Sequence, residues 1–475
     1  MRALTRPLAE HLAEIALARL PAAVIAQAKH CVLDAIGCGV AGSAHPAIAS
    51  MLGAVRPRPV PRREAGASVW GTRLRSTVTS AALLNGSMTH VVNADDAHKE
   101  SMGHPGTVVV PAALAVGEMV GASGAAVLEA VVAGYESLLR VGMGVGVASH
   151  RDRGWYATAS LGPFGAAAAA AKLMKLGADG IASALGFAGA QASGLWAFTA
   201  DGSLANIVYA GRAAESGVLG ALLTAGGLHG PRLVLEAGDG DFLRAMSDRS
   251  DPDLVLAGLG RHYRILDVSL KPYPCSRTTH APIDGALRIR ARCIDRPGWL
   301  EGIRKVLVHT YAIAKRQADI PEPATEWMAT LSIPYTVAVA LVEGAVGVEH
   351  FTRAYLDAPR VREVMRKVEV VVDDDITARF PGSWSCRVEI VGPDGGRDSE
   401  WVEVAHGDPS DPMRPDEVAR KFHTLCRDVL GDDVRDEIVS TVDRLETASD
   451  VTRLVSLLRP RPAARPGRRG GPRGR

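Results

Sequence analysis

Residues 85–106 read NGSMTHVVNADDAHKESMGHPG. The stretch holds two adjacent carboxylates (Asp95, Asp96), three histidines (His90, His98, His104) and a His-Pro-Gly turn. Before it, residues 77–90 have the apolar spacing of a helix. After it, residues 107–119 are apolar nearly all round, Glu118 excepted, which marks a helix buried on most faces. A titratable segment between two such walls lies on the surface or lines a pocket, because unpaired buried charge is too costly to keep otherwise. The class follows: helices packed through small side chains, with a polar loop carried between them. Residues 154–160 (GWYATAS) and 271–280 (KPYPCSRTTH) have the same polar character, and the three stretches are expected to meet in one cleft.

Outward from there the helical spacing repeats. Residues 8–20 and 24–35 are separated by Pro21 and closed by the glycines of 37–42; 47–55 follows, then a basic, proline-rich connector at 56–67. Helices are expected at 125–140, 164–176, 180–193 and 211–225, with glycine recurring near their ends, where helix C-termini favour it. No strand is expected before about residue 245. After Leu259 the pattern changes. Residues 303–310, 368–372, 386–391 and 401–404 mix β-branched and alternating polar side chains, the last two joined through Gly392-Pro393-Asp394-Gly395. Residues 332–342 and 352–357 read as helix between them. Residues 414–430 and 433–445 return to helix, with Pro415 in a first turn and Asp416-Glu417 favourable to the dipole, and are expected to pack back on the first domain. The expected architecture is a large all-α helical domain (residues 1–264 with 410–458), a smaller α+β lid domain (265–409) and a disordered basic tail (459–475).

Of the 475 residues, 47% are apolar and 22% charged, as in a globular protein with a large core. The tail carries seven arginines and no acid, which turns the formal +2 of the chain into −5 for the rest. Nothing in that acidic body forms a nucleic-acid-binding face. Six cysteines without CxxC spacing read as free thiols in a reducing compartment. The N-terminus fits an amphipathic helix better than a signal peptide, and no apolar run reaches the roughly 18 charge-free residues of a membrane span. A soluble cytoplasmic protein is expected. No P-loop, GxSxG or HExxH occurs, and Gly142–Gly146 lacks the preceding strand of a dinucleotide loop.

Each candidate group has a plain structural reading beside the chemical one. Asp95, Asp96, His98 and His104 are types that hold divalent ions, but their spacing matches no regular zinc pattern, so no metal is expected. Helix capping and a surface histidine would explain them equally. Acid–base work is the better functional reading, with His104 foremost because it precedes Pro105-Gly106 where a buried helix begins. Lys271, before the rigid Pro272-Tyr273-Pro274, could hold a substrate carboxylate or simply snorkel to the surface. His280 faces Asp284 one turn on and could merely be tied to its own helix. Tyr156 is a core aromatic or, with suitable neighbours, a proton donor.

The patterns NG-x-x-x-H-x-x-x-x-DD, HPG-x-x-x-x-PAALA, GYE, GW-x-x-TAS-x-G-x-FGAAAAAAKL, ALGFAGAQASGL and KPYPCSRTTHAPID, with GDPSDPM near the end, together resemble the MmgE/PrpD family. That family includes 2-methylcitrate dehydratase, cis-aconitate decarboxylase and iminodisuccinate epimerase. The resemblance implies a helical domain, an α+β lid, a site between them, a homodimer and no cofactor. It places His104, Tyr156, Asp95, Asp96 and His280 among catalytic groups and Asn93, Lys271, Asn206, Tyr209 and Arg277 among substrate-binding ones. Departures stand out: the usual Asp-x-Asp-Asp-Thr is Asn93-Ala94-Asp95-Asp96-Ala97, the usual Gly-Trp-His is Gly154-Trp155-Tyr156, and Asn206 and Tyr209 replace a lysine and a histidine. These changes remove a cation, an acid and two imidazoles, so a substrate with fewer carboxylates than methylcitrate is expected. The reaction implied is proton removal next to a carbonyl or carboxylate by a dehydratase-like lyase. An isomerase, epimerase or cyclase using the same step, and a non-catalytic metabolite-binding homologue, are the alternatives.

Overall fold

The computed structural model describes residues 3–61, 64–380 and 382–460. Of the tail expected at 459–475, all but Arg459 and Pro460 lies outside these residues. The first part of the chain is helical, built on Thr5–Glu14, Ala22–Gly42, Val78–Val91, Gly106–Val120, Gly124–Val145, Ala157–Leu173, Gly177–Ala190 and Ala205–Ala225. One hydrophobic core joins these helices to Pro415–Cys426 and Asp432–Asp443, and a second gathers buried residues between Cys275 and Ala405. The six cysteines are free and buried.

Several helices run through glycines that the sequence pattern reads as their ends. Ala22–Gly42 continues past Gly37, and Ala205–Ala225 begins a turn and a half before Gly211. Close approach is the cause. A Cβ at Gly42 would lie 1.9 Å from the Met88 carbonyl oxygen, and one at Gly211 would lie 2.2 Å from that of Leu83. Backbone packing this tight outweighs the roughly 1 kcal/mol by which glycine disfavours helix. Ala22–Gly42 is also long and apolar enough to cross a membrane, but 67% of its apolar window is buried within the fold, as in a core helix.

The smaller unit carries a four-stranded sheet in the order Val368–Val372, Lys305–Thr310, Cys386–Val391, Arg397–Val402; the first pair is parallel and the others antiparallel. The last strand begins four residues before the expected Trp401. It is an edge strand reading RDSEWV, polar at its first four positions, with Trp401 exposed and Val402 buried, so it lacks the apolar alternation that marks a half-buried one. Two short pairings also fall where no strand was expected: Ala67–Ser68 with Arg75–Ser76, and Ala97–His98 with Val268–Ser269. Two residues cannot display a period.

Candidate active site

The second of these pairings joins the quoted stretches. Ala97 lies opposite Ser269 and His98 opposite Val268, which ties the loop after Val78–Val91 to the extended piece carrying Lys271. Tyr156 stands at the N-cap of Ala157–Leu173, its N–H donating to the Gly194 carbonyl at 3.0 Å. Asn206 is in the first turn of Ala205–Ala225. Between these elements is a cavity of about 120 Å³, walled in part by His90, Asn93, His104, Tyr156, Asn206 and Lys271.

One side of the cavity ends a buried hydrogen-bonded chain. Burial alone would raise the Asp95 pKa, but His90, His104 and Lys271 outweigh it and hold the carboxyl well below the usual range. Its oxygens lie 2.8 Å from His90 Nδ1, 3.5 Å from His104 Nδ1 and 3.7 Å from Lys271 Nζ. The ionised carboxylate can only accept, so His90 Nδ1 donates to it. His90 Nε2 is 2.6 Å from Tyr156 Oη. Burial raises the phenol pKa, and the neighbouring Thr158 and Asn206 only partly offset this, so the phenol keeps its proton and donates it to Nε2. The order is carboxylate, imidazole, phenol, with the phenol at the cavity wall.

His104 is arranged differently. Its Nδ1 lies 2.6 Å from the Asp96 carbonyl oxygen, which can only accept, so Nδ1 carries the proton and the Nε2 lone pair is left over. Its N–H donates to Thr158 Oγ1 at 3.2 Å. Burial lowers the His104 pKa to about 3 despite the Asp95 charge, which leaves a neutral imidazole at pH 7. Lys271 donates to the Asn93 carbonyl (3.1 Å) and to Asn93 Oδ1 (2.9 Å). Asn93 is in the left-handed region (φ 52°), and its Nδ2 donates to Thr330 Oγ1 of the smaller unit. Burial lowers the Lys271 pKa and Asp95 partly restores it.

The remaining expected residues sit behind the wall or beside it. Asp96 accepts from the Gly106 N–H (2.8 Å) and the Tyr135 hydroxyl (2.6 Å), and burial raises its pKa to about 7. It pins the loop to the helix that follows, and a Cβ at residue 106 would come within 2.9 Å of both Asp96 Oδ1 and Tyr135 Oη. His280 is fully buried; its Nδ1 accepts from Arg277 (3.0 Å) and its Nε2 lies 3.3 Å from the Cys275 carbonyl. Asp284 serves Tyr273 and the His406 N–H instead of His280. Arg277 does reach the cavity, while half-buried Tyr209 packs on Phe198 (6.4 Å between centroids) outside it. So His104, Tyr156, Asn93, Lys271, Asn206 and Arg277 line the cavity; Asp95, Asp96, His280 and Tyr209 do not. Among the described residues no group of three His, Cys, Asp or Glu side chains is placed to hold a metal ion.

The reading of residues gave His90 no role. A signal existed: it ends a helix with no exposed face, five residues before Asp95, inside the NG-x-x-x-H pattern. The aromatic wall of Trp196, Phe198 and Trp327 had none, since these rings come from a short turn (Trp196–Thr199) and a one-turn helix (Glu326–Ala329) distant in the chain.

Two family models match the chain, the MmgE/PrpD N-terminal domain over residues 6–255 and the MmgE/PrpD C-terminal domain over residues 273–447. The cis-aconitate decarboxylase-like protein oryM of Aspergillus oryzae is 30% identical, over 96% of this chain and 97% of that protein. Cis-aconitate decarboxylase of Aspergillus terreus is 29% identical over 92% of each, and that of Homo sapiens is 26% identical over 97% of this chain and 95% of its own. Both halves match in order, and the relatives run through the helical part, the sheet and the loops that build the cavity: the chain belongs to the MmgE/PrpD family.

Proposed function

We propose that the protein is a carbon–carbon lyase that releases CO₂ from a small unsaturated carboxylic acid, with His104 carrying the proton at the reacting carbon and Tyr156 as the second donor. The observation that carries this reading is His104, a neutral imidazole whose Nδ1 is tied to the Asp96 carbonyl, leaving Nε2 as the free base of the cavity wall. The names of the relatives turn the expected loss of water into loss of CO₂. Breaking the carbon–carbon bond leaves its electron pair on the remaining fragment, directly or through an adjacent double bond, and a proton must arrive there. A bound carboxylate stabilises the imidazolium, so His104 Nε2 takes up a proton as substrate binds and passes it to that carbon. The departing carboxylate loses its hydration against Trp196, Phe198 and Trp327, where neutral CO₂ is favoured over the anion. Lys271 anchors a carboxylate that stays, and the reaction so written is complete without a cofactor.

A second reading, isomerisation, draws on the two separate proton carriers flanking His90: its ring centroid is 5.2 Å from that of His104 and 6.1 Å from that of Tyr156. One experiment separates the readings. Unsaturated acids with a labelled carboxyl carbon, cis-aconitate first, are incubated in heavy water and followed by NMR. The expected result is labelled CO₂ with one deuterium in the product, slowed by about 10²–10⁴ in His104→Gln. Deuterium exchange without CO₂ transfers the conclusion to isomerisation. Protein that binds these acids and releases CO₂ from none, or a His104→Gln variant of unchanged rate, overturns the proposal.

A further inference from the structure

Two consecutive carbonyl groups of the loop that carries Asp95 are each held by a lysine from distant chain. Lys271 donates to the Asn93 carbonyl at 3.1 Å. Lys421, on Pro415–Cys426, donates to the Ala94 carbonyl at 2.6 Å and forms an ion pair with Asp34 of Ala22–Gly42. The side chains of this pair are 9% and 2% exposed. Burial alone would lower the Lys421 pKa, and Asp34 outweighs it, so the ammonium keeps its charge. Lys421 does not line the cavity, and the reaction written above uses neither partner. A buried ion pair contributes little net stability beside well-packed apolar side chains of the same volume. What distinguishes this one is its third bond, to the loop.

The loop needs such a hold. Asn93 is in the left-handed region, which a residue other than glycine keeps only where its surroundings fix it. Lys271 and Thr330 fix the Asn93 side. Beyond it, the Ala94 carbonyl and the Asp95 N–H belong to one planar peptide unit, so the bond from Lys421 sets the direction in which the chain enters Asp95. Asp95 in turn holds His90 Nδ1 at 2.8 Å, and His90 Nε2 meets the Tyr156 hydroxyl at 2.6 Å. Lys421 itself has a rigid seat. Asp34, Gly37 and Cys38 lie on one face of their helix, and a Cβ at Gly37 would come within 3.1 Å of Phe422 Cδ2. Leu425, one turn after Lys421, clusters with Cys38 and the Ala94 methyl group. One helix therefore holds both the carbonyl and the side chain of Ala94.

We propose that Lys421 is a positioning residue of this site: from Pro415–Cys426 it fixes the Ala94 carbonyl and, through it, the Asp95 carboxylate that orients His90 and Tyr156. It touches neither the substrate nor the reacting atoms. The inference rests on this cavity being the site of the proposed lyase, and its spectroscopic test requires no turnover.

Two variants of the full-length protein separate positioning from stability. Asp34→Asn removes the counter-charge and leaves Lys421 on Ala94. Asp34→Asn combined with Lys421→Met removes the bond to Ala94 as well. A lone buried ammonium is less favourable than no charge at all, so denaturant unfolding should find the double variant at least as stable as the single one. Activity should run the other way. CO₂ release should stay within a few-fold of the unaltered protein in Asp34→Asn and fall about tenfold or more in the double variant. The His90 Nδ1 proton, in a buried charge-assisted bond, is followed by proton NMR as a far-downfield resonance, assigned by its loss in His90→Gln. It should stay in place in Asp34→Asn and move or vanish in the double variant. An unchanged resonance or an unchanged rate in the double variant overturns the proposal, as does an equal loss of rate in both variants. A double variant less stable than Asp34→Asn makes Lys421 a structural tie and overturns it too. An unaltered protein that releases no CO₂, with the resonance responding as expected, removes only the lyase.

Discussion

Replacing Asp95 with Asn keeps the volume and removes one charge from the most buried polar cluster of the site. Two consequences follow from the distances. Lys271 Nζ, 3.7 Å from Asp95 Oδ1 and fully buried, loses its only carboxylate within ion-pair reach among the described residues. At an effective dielectric of about 20 that attraction is about 4 kcal/mol. Asn93 still holds the ammonium through two acceptors, so the expected loss of folding stability is about 3 kcal/mol, the lower end for a broken buried pair. The second consequence is a tautomer. The side-chain amide brought in by Asp95→Asn donates to His90 Nδ1, which moves the imidazole proton to Nε2 and reverses the bond with Tyr156 now 2.6 Å long. The phenol then no longer rests on a base, and the rate should fall by about 10²–10⁴. Denaturant unfolding followed by tryptophan fluorescence measures the first effect and CO₂ release the second. Lys271→Met should cost less stability in the Asp95→Asn background than alone, because both buried charges are then gone. A single Asp95→Asn variant within about 0.5 kcal/mol of the unaltered protein, or a Lys271→Met cost independent of residue 95, would refute the reasoning.

Tyr156→Phe should lower the rate by about 10² or more while substrate binding changes little, because it removes the phenolic proton and strands His90 Nε2; steady-state kinetics with a separate binding measurement checks this. Asp96 gives a pH signature in stability. Its folded pKa, about 7, lies above the unfolded carboxylate value near 4. Its contribution is therefore full below pH 4 and is lost as pH rises towards 7, at up to roughly 1.4 kcal/mol per pH unit, then levels off. Asp95, with its pKa lowered, acts oppositely and only below about pH 4. Unfolding free energies between pH 4 and 8 should lose the downward slope in Asp96→Asn. Gly211→Ala places a methyl group 2.2 Å from both the Leu83 carbonyl oxygen and Ser87 Oγ. It should cost about 2 kcal/mol or more in a melting experiment and slow turnover as well, since the displaced helix carries Asn206.

Much of the helical framework was legible in the residues because helix and strand periods are local. Val78–Val91 lies one residue from its expected bounds, and Val368–Val372 and Cys386–Val391 fall where the pattern puts them. Helix ends at Gly37–Gly42 and around Gly211 were not legible, since a glycine that breaks a free helix is the residue that lets two packed helices touch. The start of Arg397–Val402 was misplaced because the first four residues of this edge strand are all polar and hide its period.

By itself the sequence determined the residue types at the site: an imidazole before a Pro-Gly helix start, a phenol at a helix N-cap, a lysine in a rigid extended piece, paired carboxylates between buried helices. Only the tertiary structure decided which nitrogen of His104 is free, that His90 links Asp95 to Tyr156, that Asp96 and His280 support from behind, and that aromatic rings close the far wall. The physical reason is range. A titratable group's proton is placed by what lies within a few ångströms of it, and here those neighbours come from distant chain, as with Lys271 and Asn93, 178 positions apart.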